Sequence, residues 1–290
     1  MFNLVEIITL LKNPESSNRE FSSLGFVDTE ISDSLTFVEK EKFLDAALDN
    51  RFVQGVLVSE TISEKYPHEA RLIPCKSPQI AFVKLHNQHG NTLKRFSTKI
   101  DRSADVSPHA RVSKNNVLIG PNVVIEDFCV VSENSSLESG VILRSGSVVG
   151  STALYVGKGN DGRALTARHF GSTRIASRVE VGPNSVIDKG MFSYDSTTIG
   201  PDTFIGPLSN ISHGVRMGSG NVLAAGVKIS GYTTIGDENW FGPSVVVSHK
   251  LQVGSGNYVA LGSNVLRSIS SNNTIVGNRL FSQGFPIRNS

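Results

Sequence analysis

An apolar residue recurs at every sixth position through most of this chain, and this spacing constrains the fold more than any other feature. The run is unbroken over twelve positions in residues 199–265, and it is also present in 100–148 and 175–187. The positions are Ile100, Val106, Val112, Leu118, Val124, Val130, Ile142, Val148, Ile175, Val181, Ile187, Ile199, Ile205, Ile211, Met217, Leu223, Ile229, Ile235, Phe241, Val247, Val253, Val259 and Val265. Neither an α-helix, with period 3.6, nor a β-strand, with period 2, explains it.

A solenoid with triangular coils does explain a period of six. Each coil has three short strands, each strand contributes one inward aliphatic residue, and residues 18 apart stack on neighbouring coils. Gly or Asn is expected at the corners, where φ is positive. A β-sandwich, the alternative, predicts period 2 with turns every 8–12 residues. We therefore predict a mainly β fold, a left-handed parallel β-helix of the hexapeptide class over residues 98–290.

Residues 1–97 lack the six-residue period and indicate a small α/β domain before the β-helix. The segment "SLTFVEKEKFLDAAL" predicts a strand that leads into a helix, and "VQGVLVS" and "RLIPC" predict buried strands. Two further helices are predicted, one in "LVEIITLLKN" and one that starts at Pro78 in "SPQIAFVKLHNQ". At the other end, "NTIVGNRLFSQGFPIRNS" has no long helical pattern and is predicted to cap the last coil.

An insertion at residues 151–174 interrupts the period. Lys158, Arg163, Arg168 and Arg174 make it basic. Insertions in a solenoid usually fall on one face, often the binding face, so a phosphate-bearing ligand is one interpretation. A solvated surface loop is the other.

Net charge, cysteine content and the lengths of apolar runs limit the partners, metal sites and cellular locations to expect. The net charge of +2 gives no reason to expect nucleic acid or an anionic membrane as the partner. Two cysteines, Cys75 and Cys129, make neither a disulfide framework nor a zinc site. No apolar run approaches the roughly 20 residues of a transmembrane helix. The first residues lack the basic start of a signal peptide, so a cytoplasmic protein is expected.

Three residues stand out because they occupy the same position in successive coils. His213, Gly231 and His249 each follow an apolar repeat position by two, and they are 18 residues apart. The register therefore predicts one column on the outside of the solenoid, with the histidines roughly 9–10 Å apart and a bare glycine between them.

The amino-acid sequences of the repeats resemble those of one family. The segments "EVGPNSVIDKG", "TTIGPDTFIG", "NISHGV", "AAGVKISGYTTIG" and "SHKLQVG" are similar to those of the UDP-3-O-acylglucosamine N-acyltransferases of lipid A biosynthesis. In the first hundred residues, "LTFVEKEKFLDAAL" and "SPQIAFVKL" resemble segments of the same family, and so does "HFGSTRI" after the insertion. The resemblance covers most of the chain, in order.

The resemblance implies a homotrimeric enzyme with active sites in the grooves between adjacent solenoids. It implies transfer of a 3-hydroxyacyl group from acyl carrier protein to the amine of a UDP-linked glucosamine derivative, with no permanently bound cofactor and no metal. His213 matches the catalytic base, the backbone N–H of Gly231 matches the oxyanion donor, and His249 matches the second histidine beside the thioester.

The same resemblance suggests substrate-binding residues. Phe37 and Phe43 match two aromatic residues that hold uracil, although the second is usually Tyr. Asn210 stands where the family often has Gln. His169, in "HFGSTRI", is added to the candidate substrate-binding residues without a specific role.

Other functions remain open. Family members continue beyond the solenoid with helices that engage acyl carrier protein, whereas this chain ends at Ser290, so an acyl-CoA is an alternative donor. The acceptor is then a different nucleotide-linked amino sugar, such as a 4-amino-4,6-dideoxyhexose for surface polysaccharide. A β-helical metalloenzyme needs a third histidine on the metal. A non-catalytic scaffold does not explain the histidine column.

Overall fold

Strands of two to four residues, stacked into three parallel sheets, make up most of the computed structural model. The structure describes residues 2–3, 20–90, 93–158, 162 and 164–282. Contacts divide the chain into two units. The N-terminal unit comprises the described residues up to Gly90 together with Leu154–Arg168. The β-helix unit comprises Leu93–Ala153 and the described residues from His169 onward.

The chain visits the three faces of the β-helix in rotation, and each face is one sheet. Face I has the strands Lys99–Ile100, Val117–Ile119, Ser135–Leu137, Ser172–Ile175, Ser196–Ile199, Arg216–Met217, Thr234–Ile235 and Gln252–Val253. Face II has the strands Asp105–Val106, Val124–Ile125, Ile142–Leu143, Glu180–Val181, Phe204–Ile205, Val222–Leu223, Trp240–Phe241, Tyr258–Val259, Asn273–Val276 and Arg279–Ser282. Face III has the strands Arg111–Val112, Val130–Val131, Val148–Ser151, Val186–Asp188, Asn210–Ile211, Lys228–Ile229, Val246–Val247 and Asn264–Val265.

The predicted fold class, a left-handed parallel β-helix preceded by a small α/β region, is confirmed. From Ile199 onward the repeat residues point inward and form one continuous apolar core. Coils pair as predicted at a spacing of 18 residues, for example Ile211 with Ile229 and Ile229 with Val247.

The predicted register is wrong by one residue between 118 and 148. Leu118 is 43% exposed, whereas the next residue, Ile119, is 4% exposed. Val106 pairs with Ile125, a separation of 19 rather than 18, so one extra residue enters the first coil. The following strands carry two adjacent apolar residues, as in "VI" and "VV", and a six-residue spacing therefore fits both registers.

The six-residue period of apolar residues is also interrupted at Ser193. Ile175 pairs with Ile199, a separation of 24, so six additional residues lie between Ile187 and Ile199. This segment is an extra loop and not a side of the triangle. We call residues 189–195 the corner loop.

Gly or Asn occupies many positive-φ corners as predicted, for example Gly214, Gly220 and Asn184, and other glycines have a second role. Positive φ occurs three residues after the inward residue, and large side chains also adopt it, including Leu208 (φ +59°) and Tyr232 (φ +58°). The glycine of an "IG" pair meets another need. A Cβ on Gly206 would lie 2.6 Å from the backbone carbon of Ala224 on the next coil, so only glycine fits there.

The predicted cap at the C-terminal end is an antiparallel pair. The strand Asn273–Val276 adds to face II in parallel, and Arg279–Ser282 then turns back along it. Residues 283–290 lie outside the described residues.

The N-terminal unit contains the predicted strands and the helix at Pro78. Its parallel sheet has the strands Ser23–Leu24, Ser34–Phe37, Val53–Val58 and Leu72–Pro74. Its helices are a 3₁₀ turn at Glu41–Phe43 and α-helices at Leu44–Asp49, Glu60–Lys65 and Pro78–His89, and two antiparallel pairs join Phe2–Asn3 with Glu20–Phe21 and Val156–Lys158 with Ala164–Thr166. The predicted helix in "LVEIITLLKN" lies outside the described residues.

Hydrogen bonds join the insertion to the helix Pro78–His89 of the N-terminal unit. The buried His86 Nε2 lies 2.7 Å from the carbonyl oxygen of Arg168, and it is the donor because a carbonyl only accepts. Asn87 binds the same segment twice, through its Nδ2 to the Thr166 carbonyl at 2.9 Å and through its Oδ1 to the Arg168 N–H at 2.7 Å.

Candidate active site

His213 lies at the corner that follows a face III strand. Ile211 points into the core, and the chain turns at Gly214 with φ +68°. The Gly214 N–H donates to the buried Thr197 hydroxyl at 2.9 Å, which fixes the turn. A Cβ on Gly214 would lie 2.7 Å from the ring of Tyr232, so glycine is required here for space as well as for φ.

His213, Gly231 and His249 lie in register on successive coils. The corners are joined by hydrogen bonds from the Tyr232 N–H to the His213 carbonyl and from the Lys250 N–H to the Gly231 carbonyl, both 3.0 Å. Gly231 lies directly beside the imidazole, because a Cβ added there would be 2.8 Å from His213 Nε2. Within the described part of the chain, the Gly231 N–H has no acceptor.

The imidazole of His213 is half-buried between two other rings. His169 lies 5.3 Å away, centroid to centroid, at an interplanar angle of 74°, and Tyr232 lies 5.2 Å away at 82°. Both are edge contacts. His213 Nδ1 is buried and has no hydrogen-bond partner among the described residues. Burial lowers the pKa of His213 below its ordinary value, so the neutral ring predominates at pH 7.

The fold therefore places His169 in contact with His213. The sequence analysis named His169 as a candidate but did not predict this contact. It is buried and precedes the face I strand Ser172–Ile175. Its segment runs alongside the corner loop, since the Phe170 N–H donates to the Met191 carbonyl and the Gly171 N–H to the Gly190 carbonyl, both at 3.0 Å.

Sequence reasoning missed Tyr232 and Asp195. The Tyr232 hydroxyl donates to Asp195 Oδ2 at 2.8 Å, and both residues are half-buried. The break of the six-residue period at Ser193 was the available signal. It marks the corner loop, which supplies Asp195. Directly before this loop, burial raises the pKa of Asp188 to about 6, against a hydrogen bond from Ser151 that lowers it.

Two further candidate residues, His249 and Asn210, belong to the β-helix unit. His249 is exposed. Asn210 is half-buried on face III, and its Oδ1 accepts a hydrogen bond from the Ser212 hydroxyl at 3.2 Å.

Phe37 and Phe43 belong to the N-terminal unit. Phe37 is half-buried with its ring 4.9 Å from that of Phe82. Phe43 is 48% exposed, and Lys42 Nζ lies 4.9 Å from its ring centroid. The ring of Phe37 thus contacts another aromatic ring, whereas the ring of Phe43 contacts an ammonium group.

The basic residues of the insertion are divided between the units. Lys158 and Arg168 are exposed in the N-terminal unit, whereas Arg174 is exposed on face I of the β-helix. Arg163 lies outside the described residues.

The described residues contain neither a metal-binding cluster nor a membrane-spanning helix. No group of three or more His, Cys, Asp or Glu side chains there could hold a metal ion. No helix there has the length and apolar character needed to span a bilayer.

A neutral imidazole beside a free backbone N–H is suited to acyl transfer. The imidazole can accept a proton from an attacking nucleophile. The N–H can donate to the oxyanion of a tetrahedral intermediate. Gly231 lets a reacting group approach the backbone, since it has no side chain.

Comparison with known proteins finds a match to a repeat profile around this site. Residues 196–231 match the sequence profile described as bacterial transferase hexapeptide (six repeats). This segment of the β-helix is therefore similar to hexapeptide repeats of bacterial transferases. The matched repeats include both His213 and Gly231.

The predicted resemblance to UDP-3-O-acylglucosamine N-acyltransferases is confirmed. This chain is 24% identical to the enzyme of that name from Helicobacter pylori over 68% of this chain and 65% of that protein. It is 28% identical to UDP-3-O-acylglucosamine N-acyltransferase 1 of Legionella pneumophila over 67% of this chain and 62% of that protein. It thus spans slightly less than two thirds of the length of these relatives.

A solved structure supports the fold. The UDP-N-acetylglucosamine O-acyltransferase of Moraxella catarrhalis superposes with a TM-score of 0.53 at 19% identity, over 65% of this chain and 72% of that one. At this identity the likeness concerns the architecture alone.

Proposed function

We propose that this protein is an N-acyltransferase that moves a 3-hydroxyacyl group from a thioester to the amine of a UDP-linked glucosamine derivative, as in lipid A biosynthesis. The observation that carries the proposal is the neutral imidazole of His213 beside the free N–H of Gly231. Similarity to UDP-3-O-acylglucosamine N-acyltransferases supplies the substrate class.

In the proposed reaction, the neutral sugar amine attacks the thioester carbonyl and forms a C–N bond. His213 accepts the proton that the amine must lose. The Gly231 N–H donates to the oxyanion of the tetrahedral intermediate. When the intermediate collapses, the C–S bond breaks and the proton on His213 passes to the departing thiolate. His249, two coils away, is proposed to contact the donor beside its thioester.

The remaining parts of the proposal concern substrate binding and assembly. Phe37 and Phe43 hold the uracil ring, so the N-terminal unit is the nucleotide-sugar domain. Asn210 and His169 contact the acceptor sugar. The donor is acyl carrier protein or an acyl-CoA. The enzyme is a cytoplasmic homotrimer, supported by the exposed aromatic side chains on face II.

Amide formation with a panel of nucleotide-linked amino sugars and hydroxyacyl thioesters tests this proposal. His213→Ala should lower kcat by about 10²–10⁴-fold, the contribution expected of a general base. His109→Ala is the matched control, because His109 is exposed beside Asp127 on the first coil. It should keep wild-type activity.

A wild-type rate for His213→Ala would refute the mechanism. Activity only with acyl-CoA and another nucleotide-linked amino sugar would favour the surface-polysaccharide alternative over lipid A biosynthesis.

A further inference from the structure

The six additional residues of the β-helix lie next to the proposed base. Ile187 pairs with Ile211 on face III, so the corner that follows Ile187 is one coil away from the corner of His213. An ordinary corner at that place would continue directly to face I. The corner loop replaces it, and Asp195 stands at its end just before the face I strand Ser196–Ile199.

Tyr232 spans the corner of His213. Its backbone belongs to the coil after that of His213, where it follows Gly231. Its ring passes over Gly214, and its hydroxyl reaches Asp195 Oδ2, which belongs to the coil before. The hydrogen bond therefore joins the two coils that flank His213, and the ring between them presents an edge contact to the imidazole.

The surroundings of His213 show why this contact matters. A catalytic histidine is commonly oriented by a hydrogen bond to its second nitrogen. Here the buried Nδ1 has no such partner among the described residues. The ring contacts with His169 and Tyr232 are then what fixes the orientation of the imidazole. The titratable groups facing it are His169 and Tyr232, with Asp195 behind the Tyr232 hydroxyl.

We propose that Tyr232, anchored by Asp195 of the corner loop, is a positioning residue that holds the His213 imidazole against Gly231. The role assigned to His213 rests on the proposed function, whereas the orientation of its ring does not. Tyr232 touches the base and not the reacting atoms.

Kinetics of four variants test the proposal. Tyr232→Leu removes the ring and should lower kcat by about 100-fold, the scale of loss when a catalytic group is misplaced by about 1 Å, with KM changed less than about twofold. Tyr232→Phe and Asp195→Ala each remove the anchoring hydrogen bond and should lower kcat by a smaller, similar factor. Asp195→Asn retains an acceptor oxygen and should be nearest to wild type.

Coupling between the two residues gives a sharper test. If the hydrogen bond is the link, the double variant Tyr232→Phe/Asp195→Ala should be no slower than either single variant. Multiplied losses would overturn the anchoring role of Asp195. Phe128→Leu is the matched control for the loss of a ring, since Phe128 is 70% exposed and lies three coils before His213. It should leave kcat unchanged.

A measurement on the substrate-free protein separates this inference from the proposed function. NMR titration of imidazole-labelled protein, with the His213 signal assigned through His213→Gln, should show the His213 pKa rising toward its ordinary value in Tyr232→Leu as water reaches the ring. In the control Phe128→Leu, His213 should titrate as in the wild type. An unchanged His213 titration in Tyr232→Leu would overturn the positioning role, whatever the activity. Failure to find a substrate for the wild type would count only against the proposed function.

Discussion

His213 differs from an ordinary surface histidine because of the residues beside it. The bare backbone of Gly231 lets the imidazole lie close to the next coil, and the rings of His169 and Tyr232 cover it from two sides. These neighbours exclude water, and the charged form of the ring becomes less favourable. The same burial that prepares a neutral base must therefore cost stability when the ring is protonated.

This cost should be visible in the pH dependence of stability. The folded pKa of His213 lies below its ordinary value of about 6.5, which describes the unfolded chain. Above that pH neither state is protonated and His213 contributes nothing. As the pH falls below it, the unfolded chain binds the proton more readily, so the folded state is destabilised. His213→Gln should lose less Tm than wild type between pH 7 and pH 5.

Differential scanning calorimetry across this pH range checks the expectation. His109→Gln is the control, because its side chain is 65% exposed, and it should follow the wild-type curve. His86 is buried and its lowered pKa acts equally in all three proteins, so it cancels in the comparison. An identical loss of Tm in His213→Gln and wild type would contradict a lowered pKa of His213 in the folded protein.

Within each coil, the sequence determines the elements better than the exact register. The period of six predicts the β-helix, and the stacking of His213, Gly231 and His249 follows from it. It cannot choose between Leu118 and Ile119, because both are apolar and both registers preserve the spacing. It also cannot show the pairing of Tyr232 with Asp195, since they are 37 residues apart and are joined only when six extra residues enlarge one corner.

A column of asparagines is a second feature that apolar periodicity does not reveal. Asn221, Asn239 and Asn257 are buried on successive coils at the corners between faces I and II. Asn239 Nδ2 donates to Asn221 Oδ1 at 3.0 Å. Asn239 Oδ1 accepts from both the backbone N–H and the Nδ2 of Asn257 at 2.9 Å. Each amide thus satisfies polar groups that the coils would otherwise bury unpaired.

Asn239→Ala should therefore destabilise the β-helix by about 3 kcal/mol, because it leaves two buried donors of Asn257 without their acceptor. Chemical denaturation followed by circular dichroism measures the change. Asn264→Ala, at an exposed strand position of face III, is the control and should lie within about 0.5 kcal/mol of wild type. Equal stability of the two variants would show that the column is not a structural element.

On the scale of the whole molecule, face II carries a stripe of outward-facing apolar side chains, of which Phe204 and Trp240 are exposed and Val222 and Tyr258 are half-buried. Phe204, Val222, Trp240 and Tyr258 lie opposite one another on four successive strands, with their side chains directed away from the core. Leu208 adds a further exposed apolar side chain at the neighbouring corner. Extended apolar surface of this kind is typical of an interface. The proposed homotrimer supplies the partner, namely a second copy of the chain.

Trp240→Lys should weaken that assembly, because it places a charge in the middle of the stripe while leaving the core of the β-helix intact. Trp240 is 46% exposed and its inward neighbour Phe241 is fully buried. Light scattering after size-exclusion chromatography should give three chain masses for the wild type and a lower mass for Trp240→Lys at micromolar concentration. Gln252→Lys makes the same charge change at an exposed strand position of face I and should remain trimeric. A monomeric wild type would contradict the homotrimer, and a trimeric Trp240→Lys would remove the stripe from its interface.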